Sequence, residues 1–346
     1  AGVALEGVEA TCSREESRGA DKAHDAVPSQ ERQVPEAAFA NAASHFFLPL
    51  TADKALSLEE AARLAACGQL LRALPLLEAL AGDSTLPLIL QHLPSRLERV
   101  HRLRQACARP LASGAAASGW KRFDLDICTL WRRWDAQAGA LESVISWEAP
   151  GSLELQLAVL TNCEISEPLW QGACWDMRSE RADGATLARW LEKDPFTGRK
   201  SEVILERVLV DCLDDAGCWI LVERSPDPPG FENFAGRWGS FDISAVPKGH
   251  FRPLVSDGGR IMEPIAPDRV RVTMALTVKL PSVIRWLVTD TLLCFGVNHS
   301  SKAAMKSWNH IVDGWDSSRY PECFRQQADF YGPAADRVAA YLAKTS

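Results

Sequence analysis

The side chains best able to do chemistry are scattered along this chain in spacings that do not converge on a reaction. Seven histidines stand at 24, 45, 92, 101, 250, 299 and 310, and none has the partner spacing by which a helix or hairpin offers two ligands to a metal. Two carboxylate pairs, Asp124/Asp126 and Asp214/Asp215, have the composition that acid–base work needs. The first alternates with Phe123, Leu125 and Ile127, which puts it on the solvent side of a strand. The second lies in LDDAG, a turn composition. The patterns G-x-S-x-G and H-E-x-x-H, a Gly-rich phosphate loop and an EF-hand loop are all absent. Ten cysteines are widely spaced without a C-x-x-C pair. They read as buried free thiols of a reducing compartment, the cytoplasm or an organelle interior. Neither a catalytic residue, nor a metal, nor a cofactor is expected.

Composition narrows the classes further. The chain has 346 residues, 47% of them hydrophobic and 24% charged, the balance of a globular protein with room for one large core. A net charge of -7 leaves no basic footprint for nucleic acid. Twelve tryptophans against three tyrosines supply bulky apolar surface, as core filler or as the wall of a wide apolar cavity. No run of about 18 apolar residues is present, so no membrane-spanning helix is expected. The first residue is Ala and not Met, which leaves a removed targeting peptide open.

The elements that must position any site follow from periodicity. Residues 1–52 are rich in Ala, Glu, Ser and Gly and offer little to bury, so they read as an extended or disordered arm that a protein partner would order. Residues 53–112 read as a helical hairpin, LSLEEAARLAACGQLLRALPLLEAL, and a longer helix kinked or divided at Pro94. PLASGAAASG is a linker. Strands are expected around 120–135 and 141–150, then the helix SLELQLAVLTNCEIS, then strands over 175–182, 187–192, 203–213 and 218–224 and two more within 251–280. Asp257-Gly258-Gly259 is expected to turn between the last two. Val270, Val272, Met274, Leu276, Val278 and Leu280 alternate with Arg271, Thr273, Ala275, Thr277 and Lys279, the mark of a strand with one buried face. Pro281 ends that strand, and a helix with an apolar stripe follows. A tail, 313–346, carries one more short amphipathic segment over 333–343. Closely spaced strands of this kind need antiparallel hairpins, so the class is α+β with a curved antiparallel sheet.

From Trp120 to Ile311 this order resembles the START domain, the helix-grip lipid-binding module. WKRFDLDICTLWRRW resembles its opening strand pair and LAVLTNCEISEPLW its short helix. DCLDDAGCWILVERS resembles the strand pair that ends in "RS", and RIMEPIAPDRVRVTMALTVKLPSVIRWLV the last strands and the start of the C-terminal helix. The stretch from Ser225 to Leu254 is longer and more irregular than the family pattern, and three residues separate Pro281-Ser282 from "WLV". The resemblance implies a sheet over 113–312 that grips the C-terminal helix around an apolar tunnel for one lipid or other hydrophobic small molecule. It implies a gate formed by that helix and the loop near Lys193–Ser201, and transient contact with membranes.

On that pattern Ile145, Trp147, Trp190, Met274, Leu276, Ile284, Leu287 and Val288 are candidates to line the tunnel, each equally suited to plain core. Arg189 and Arg207 would point inward to a polar headgroup, or outward to solvent. The implied function is non-catalytic lipid binding or transfer. The alternatives are a scaffold subunit with a filled core and a partner-bound arm, and an enzyme of the polyketide-cyclase kind, which would need acid–base groups converging inside the cavity.

Overall fold

The computed structural model describes residues 60–64, 69–79, 93–112, 116, 118–162, 174–182, 185–193, 200–226, 228, 230–238, 241–279 and 305–345. The arm 1–52, the segment 280–304 expected to hold the gripped helix, and most of the expected gate loop lie outside them.

Residues 60–64 are helical, and the helices α1 (Leu70–Ala79) and α2 (Leu93–Ala108) follow. Pro94 stands in the first turn of α2, where a missing N–H costs nothing, and the part of the expected longer helix before Leu93 lies outside the described residues. The strands β1 (Lys121–Leu125), β2 (Cys128–Asp135) and β3 (Ala140–Pro150) then form a meander. The chain leaves β3 at Gly151, in a left-handed conformation (φ +86), and enters α3 (Leu153–Thr161). This helix is apolar nearly all round and is correspondingly buried. Next come β4 (Cys174–Ala182), β5 (Ala185–Lys193), β6 (Lys200–Cys212), the single turn α4 (Leu213–Ala216) and β7 (Cys218–Arg224). The irregular stretch after β7 holds a small hairpin, β8 (Gly236–Trp238) with β9 (Phe241–Ile243), and a short strand β10 (His250–Phe251). Two long strands follow, β11 (Leu254–Ala266) and β12 (Arg269–Lys279). Residues 305–313 are helical (α5), and α6 (Tyr320–Gln326) and α7 (Ala328–Thr345) close the chain.

All strands but β8 and β9 join one sheet in the order β1-β2-β3-β12-β11-β7-β6-β5-β4, antiparallel throughout this path, with β10 beside β6 in parallel. The class is therefore α+β with a large antiparallel sheet. The sheet is covered on both sides. On one side, called inner here, Leu130, Ile145, Trp147, Trp219, Leu221, Met262 and Val272 pack against α3, α5 and α7. On the outer side Val144, Val208, Val210, Ile220, Val222 and Ala275 pack against α1 and α2. Strands β6 and β7 are buried on both faces, which is why ILERVLVDC and CWILVER read as nearly continuous apolar runs.

Two expectations change. Asp257-Gly258-Gly259 does not turn but lies inside β11, next to a register shift between Val255 and Asp257. Gly259 is there because the backbone is crowded: its φ is +152, and a Cβ would stand 2.1 Å from the Leu221 carbonyl oxygen and 2.6 Å from Leu103 of α2. The tail is more than a short segment. Tyr320, Tyr331, Ala334 and Val338 belong to the inner core, the Tyr331 hydroxyl meets Thr161 Oγ1 (2.7 Å) and Asn162 Nδ2 (2.8 Å) at the end of α3, and Arg337 pairs with buried Asp211.

The outer coverings are held by charge as well as by apolar contact. Glu206 of β6 pairs with Arg99 of α2 (3.0 Å) and with Arg224 of β7 (3.2 Å). Glu202 of β6, fully buried, takes Arg189 of β5 (2.6 Å) and Arg252 (2.7 Å). Arg252 also donates to the carbonyls of Phe234 and Ser244, each at 2.6 Å, and so ties the irregular 225–253 stretch to the sheet. Burial alone would raise the Glu206 pKa, but Arg99 and Arg224 outweigh it and hold the carboxyl below its ordinary value of 4.5.

Two outcomes follow. Gly259→Ala is expected to lose about 3 kcal/mol or more in chemical denaturation, because neither the carbonyl nor α2 can move aside. Gly249→Ala, at φ +78 with no heavy atom within 4 Å, should lose only about 1 kcal/mol. For Glu206 the depressed pKa means that its stabilisation is fully present above pH 4.5 and is lost as pH falls through the lower folded-state value. Glu206→Gln should therefore cost about 3 kcal/mol at pH 7 by leaving two guanidiniums unmatched. Its deficit relative to the parent should shrink as the pH is taken below 4.5; a deficit independent of pH would refute the assignment.

Candidate functional site

Register turns the inner face into a set of cross-sheet rows. Paired positions Leu130, Ile145, Met274, Arg260, Leu221 and Leu209 form one row. The next row reads Arg132, Ser143, Leu276, Gly258, Glu223, Arg207 and Thr186. This second row is a polar belt. Its Arg132, Ser143, Arg207 and Glu223 are all buried. On one side of the belt the inner face is covered by α3, α5 and α7. On the other side lies a cluster of Val203, Leu205 and Val255 with Trp190, Leu276 and Val278 packed on it. Among the described residues, strands alone build that cluster.

The belt centres on Glu223. Its Oε2 accepts from Arg260 Nη1, and its Oε1 lies 2.8 Å from Arg207 Nε. This second pair is in ion contact without hydrogen-bond alignment, so both atoms keep unused hydrogen-bonding capacity. Arg207 Nη1 donates to the Leu160 carbonyl at the C-terminal end of α3 (3.0 Å), and its guanidinium lies over Trp190, 5.4 Å from the ring centroid. Arg260 lies 6.0 Å over Trp308 of α5. Burial pushes the Arg260 pKa down, against the pull of Glu223. Arg132 lies 4.7 Å over Phe123. Toward the helix-covered end, the indole N–H groups of Trp147 and Trp219 are buried without an acceptor, and Trp147 meets Trp308 edge to face at 6.5 Å.

The structure brings six of the expected residues to one face: Ile145, Trp147, Trp190, Arg207, Met274 and Leu276. Ile145 and Trp147 lie in the helix-covered core, while Trp190 and Leu276 lie in the strand-only cluster. Arg189 is a correction. Successive strand residues point to opposite faces, so Arg189 and Trp190 cannot both face inward. Arg189 pairs across to Ile204 in register, and its guanidinium is spent on Glu202. Ile284, Leu287 and Val288 lie outside the described residues. Three inner-face groups had no place among the candidates: Glu223, Arg260 and Arg132. Each had a signal, a charge at the parity of apolar neighbours: Glu223 with Trp219 and Leu221, Arg260 with Met262, Arg132 with Cys128 and Leu130.

Chemically the belt is a place for a charged or hydrogen-bonding group inside apolar surroundings. The carboxylate pairs weighed for catalysis lie elsewhere: Asp124 is engaged with Arg122, and Asp214 with Arg337. The described residues contain no cluster of His, Cys, Asp and Glu able to hold a metal.

The bookkeeping of charge predicts an order of stabilities. Glu223→Gln leaves two buried guanidiniums without a counter-charge and should cost about 3–5 kcal/mol. Arg207→Met leaves Glu223 and Arg260 as a matched pair and should cost clearly less. Denaturant midpoints that reverse this order would show that Glu223 is not the shared counter-ion.

No family model and no curated protein matches this chain. Its fold is similar to those of several START-related lipid transfer domains. Human STARD10 is 15% identical over 68% of this chain and 87% of its own, with a TM-score of 0.46. Human StAR-related lipid transfer protein 5 is 9% identical over 64% of this chain and 99% of its own, at 0.44. The Zhui aromatase/cyclase of Streptomyces sp. R1128 is 11% identical over 51% and 94%, at 0.33. These scores all lie below 0.5, so the functional reading rests on the site's own geometry.

Proposed function

We propose that the chain binds one lipid-class amphiphile on the inner face and acts as a non-catalytic carrier. The polar end would sit on the belt at Arg207, and the apolar part would lie along Trp190, Val203, Leu205, Leu276 and Val278. One observation carries this reading: a charged row, buried in mid-sheet, borders a buried apolar cluster of Val203, Leu205 and Val255. A solid core gains nothing from such a row, because buried ion pairs of this kind are commonly neutral or costly to stability. An amphiphile uses both halves. Burial of an acyl chain gains about 0.8 kcal/mol per methylene, or about 10 kcal/mol for a long chain. The belt spares its polar end the cost of desolvation without partners.

Native mass spectrometry of the full chain, followed by solvent extraction, is expected to find one amphiphile per protein. Leu276→Trp, which adds bulk beside the belt, should lower uptake of a fluorescent lipid about tenfold. A protein that purifies at its apo mass and takes up no fluorescent lipid would sink the proposal.

A further inference from the structure

We infer that Cys212 and Cys218 form a redox-sensitive pair: a disulfide oxidant joins them across the β6–β7 hairpin, and an excess of reduced thiol parts them again. The inference goes beyond the carrier reading and does not rest on it. It starts from register. Cys212 and Cys218 stand directly opposite each other as the last pair of the β6–β7 ladder. Opposed residues project to the same face, and both side chains belong to the outer core. Among the described residues no other two cysteines are opposed in this way: Cys107 lies on α2, Cys128 starts β2 in the inner core, and Cys323 lies on α6.

This geometry makes the bond reachable and strained at once. Opposed residues of an antiparallel ladder have Cα atoms about 4.5–5.5 Å apart, within the span of about 4.4–6.8 Å that a disulfide bridges. Their Cβ atoms stand about 4.5–5.5 Å apart, whereas a disulfide prefers about 3.8 Å. The hairpin must therefore pinch to close the bond. It can do so here because the ladder ends, in the single turn α4 and in Gly217 at a left-handed φ of +65. A strained disulfide has a higher reduction potential and is the reversible kind. The resting dithiol is protected by its cover. Cys212 and Cys218 are 0% and 3% exposed, in one cluster with Val100, Leu103 and Cys107 of α2. Burial pushes the Cys218 pKa up to about 12 and that of Cys212 well above its ordinary 9.0, so a thiolate forms only when this region opens. One thiol then loses its proton and attacks a sulfur of glutathione disulfide, releasing one glutathione. The second thiol attacks the mixed disulfide and releases the other. Two electrons pass from the protein dithiol to the oxidant, and both protons end on the glutathiones.

The test incubates the full chain with glutathione disulfide at pH 8, in buffer and in urea below the unfolding midpoint. Samples are quenched with N-ethylmaleimide in denaturant and read by intact mass and peptide mapping. The expected result is a loss of two hydrogens per chain, located in the peptide that holds Cys212 and Cys218. Urea below the midpoint should speed its formation, because it favours partial opening. Excess reduced glutathione should reverse it. Cys212→Ser should stop at a glutathione adduct on Cys218. If both thiols are still alkylated in either condition, or if Cys107 is joined in place of one of them, the pairing is wrong. A bond that forms only above the midpoint belongs to the unfolded chain and would overturn the argument from register. A bond that resists excess reduced glutathione would overturn the switch.

Discussion

Strand register is the constraint on which the inner face depends. A sheet covered on both sides has no neutral place for an error, because a slip of one residue exchanges its two buried faces. Here the pairing of β3, β12, β11, β7 and β6 lines up Ser143, Leu276, Gly258, Glu223 and Arg207 across five strands. No single strand encodes that belt. In β12 the belt position is Leu276, which is apolar, and in β11 it is Gly258. The glycine has a consequence of its own: a Cβ there would crowd Leu276 and Val255, at 3.1 and 3.2 Å, so only a residue without a side chain lets these two pack closely on β11.

Charge then differentiates the two faces. Burying an ion pair is expensive, and such a pair persists only where geometry or use compensates for the lost hydration. On the outer face the compensation is mechanical. Arg99 helps to seat α2 and Arg252 gathers the backbone of the 225–253 stretch, which also presents Phe231, Phe241 and Ile243 to Leu187 and Ile204. That stretch is anchored by a fully buried arginine, by this apolar cluster and by the pairing of β10 with β6. On the inner face the mechanical role is filled by apolar and neutral contacts instead: Gln156 bridging Pro150 and Trp308, Tyr331 on Asn162, and the stacked rings of Phe324 and Tyr331. Among the inner charges Arg207 shares that role, since it donates to the Leu160 carbonyl at the end of α3.

Much of this was legible from residue order, for physical reasons that also mark where legibility ends. Alternation of apolar and polar residues located β3 and β12, and near-continuous apolar runs located β6 and β7. Alternation gives parity within a strand but not which parity faces which layer. This is why Arg189 and Trp190 were both admissible until the pairing of β5 with β6 separated them. Gly258-Gly259 carried a turn signal because glycine permits turns and close approaches alike, and only the position of Leu103 and the Leu221 carbonyl tells the two apart. The tail was underestimated for a related reason. Tyr320, Phe324 and Tyr331 look like isolated aromatics in sequence, and their burial depends on stacking with one another and on the distant end of α3.

The arrangement also orients any occupant. At the Trp147–Trp219 end, α3, α5 and α7 fill the inner face: Trp308 packs on Trp147, Phe330 on Trp219, and Arg337 reaches Asp211. An apolar chain directed that way would have to displace close-packed rings, at a cost of several kcal/mol. On the other side of the belt Val203, Leu205 and Val255 are buried as well, with Trp190 and Val278 packed on them. Arg207 is held by Glu223, by the Leu160 carbonyl and by Trp190 at once, so the direction is set before anything binds. Preorganisation of this kind lowers the ordering cost of any association at that guanidinium.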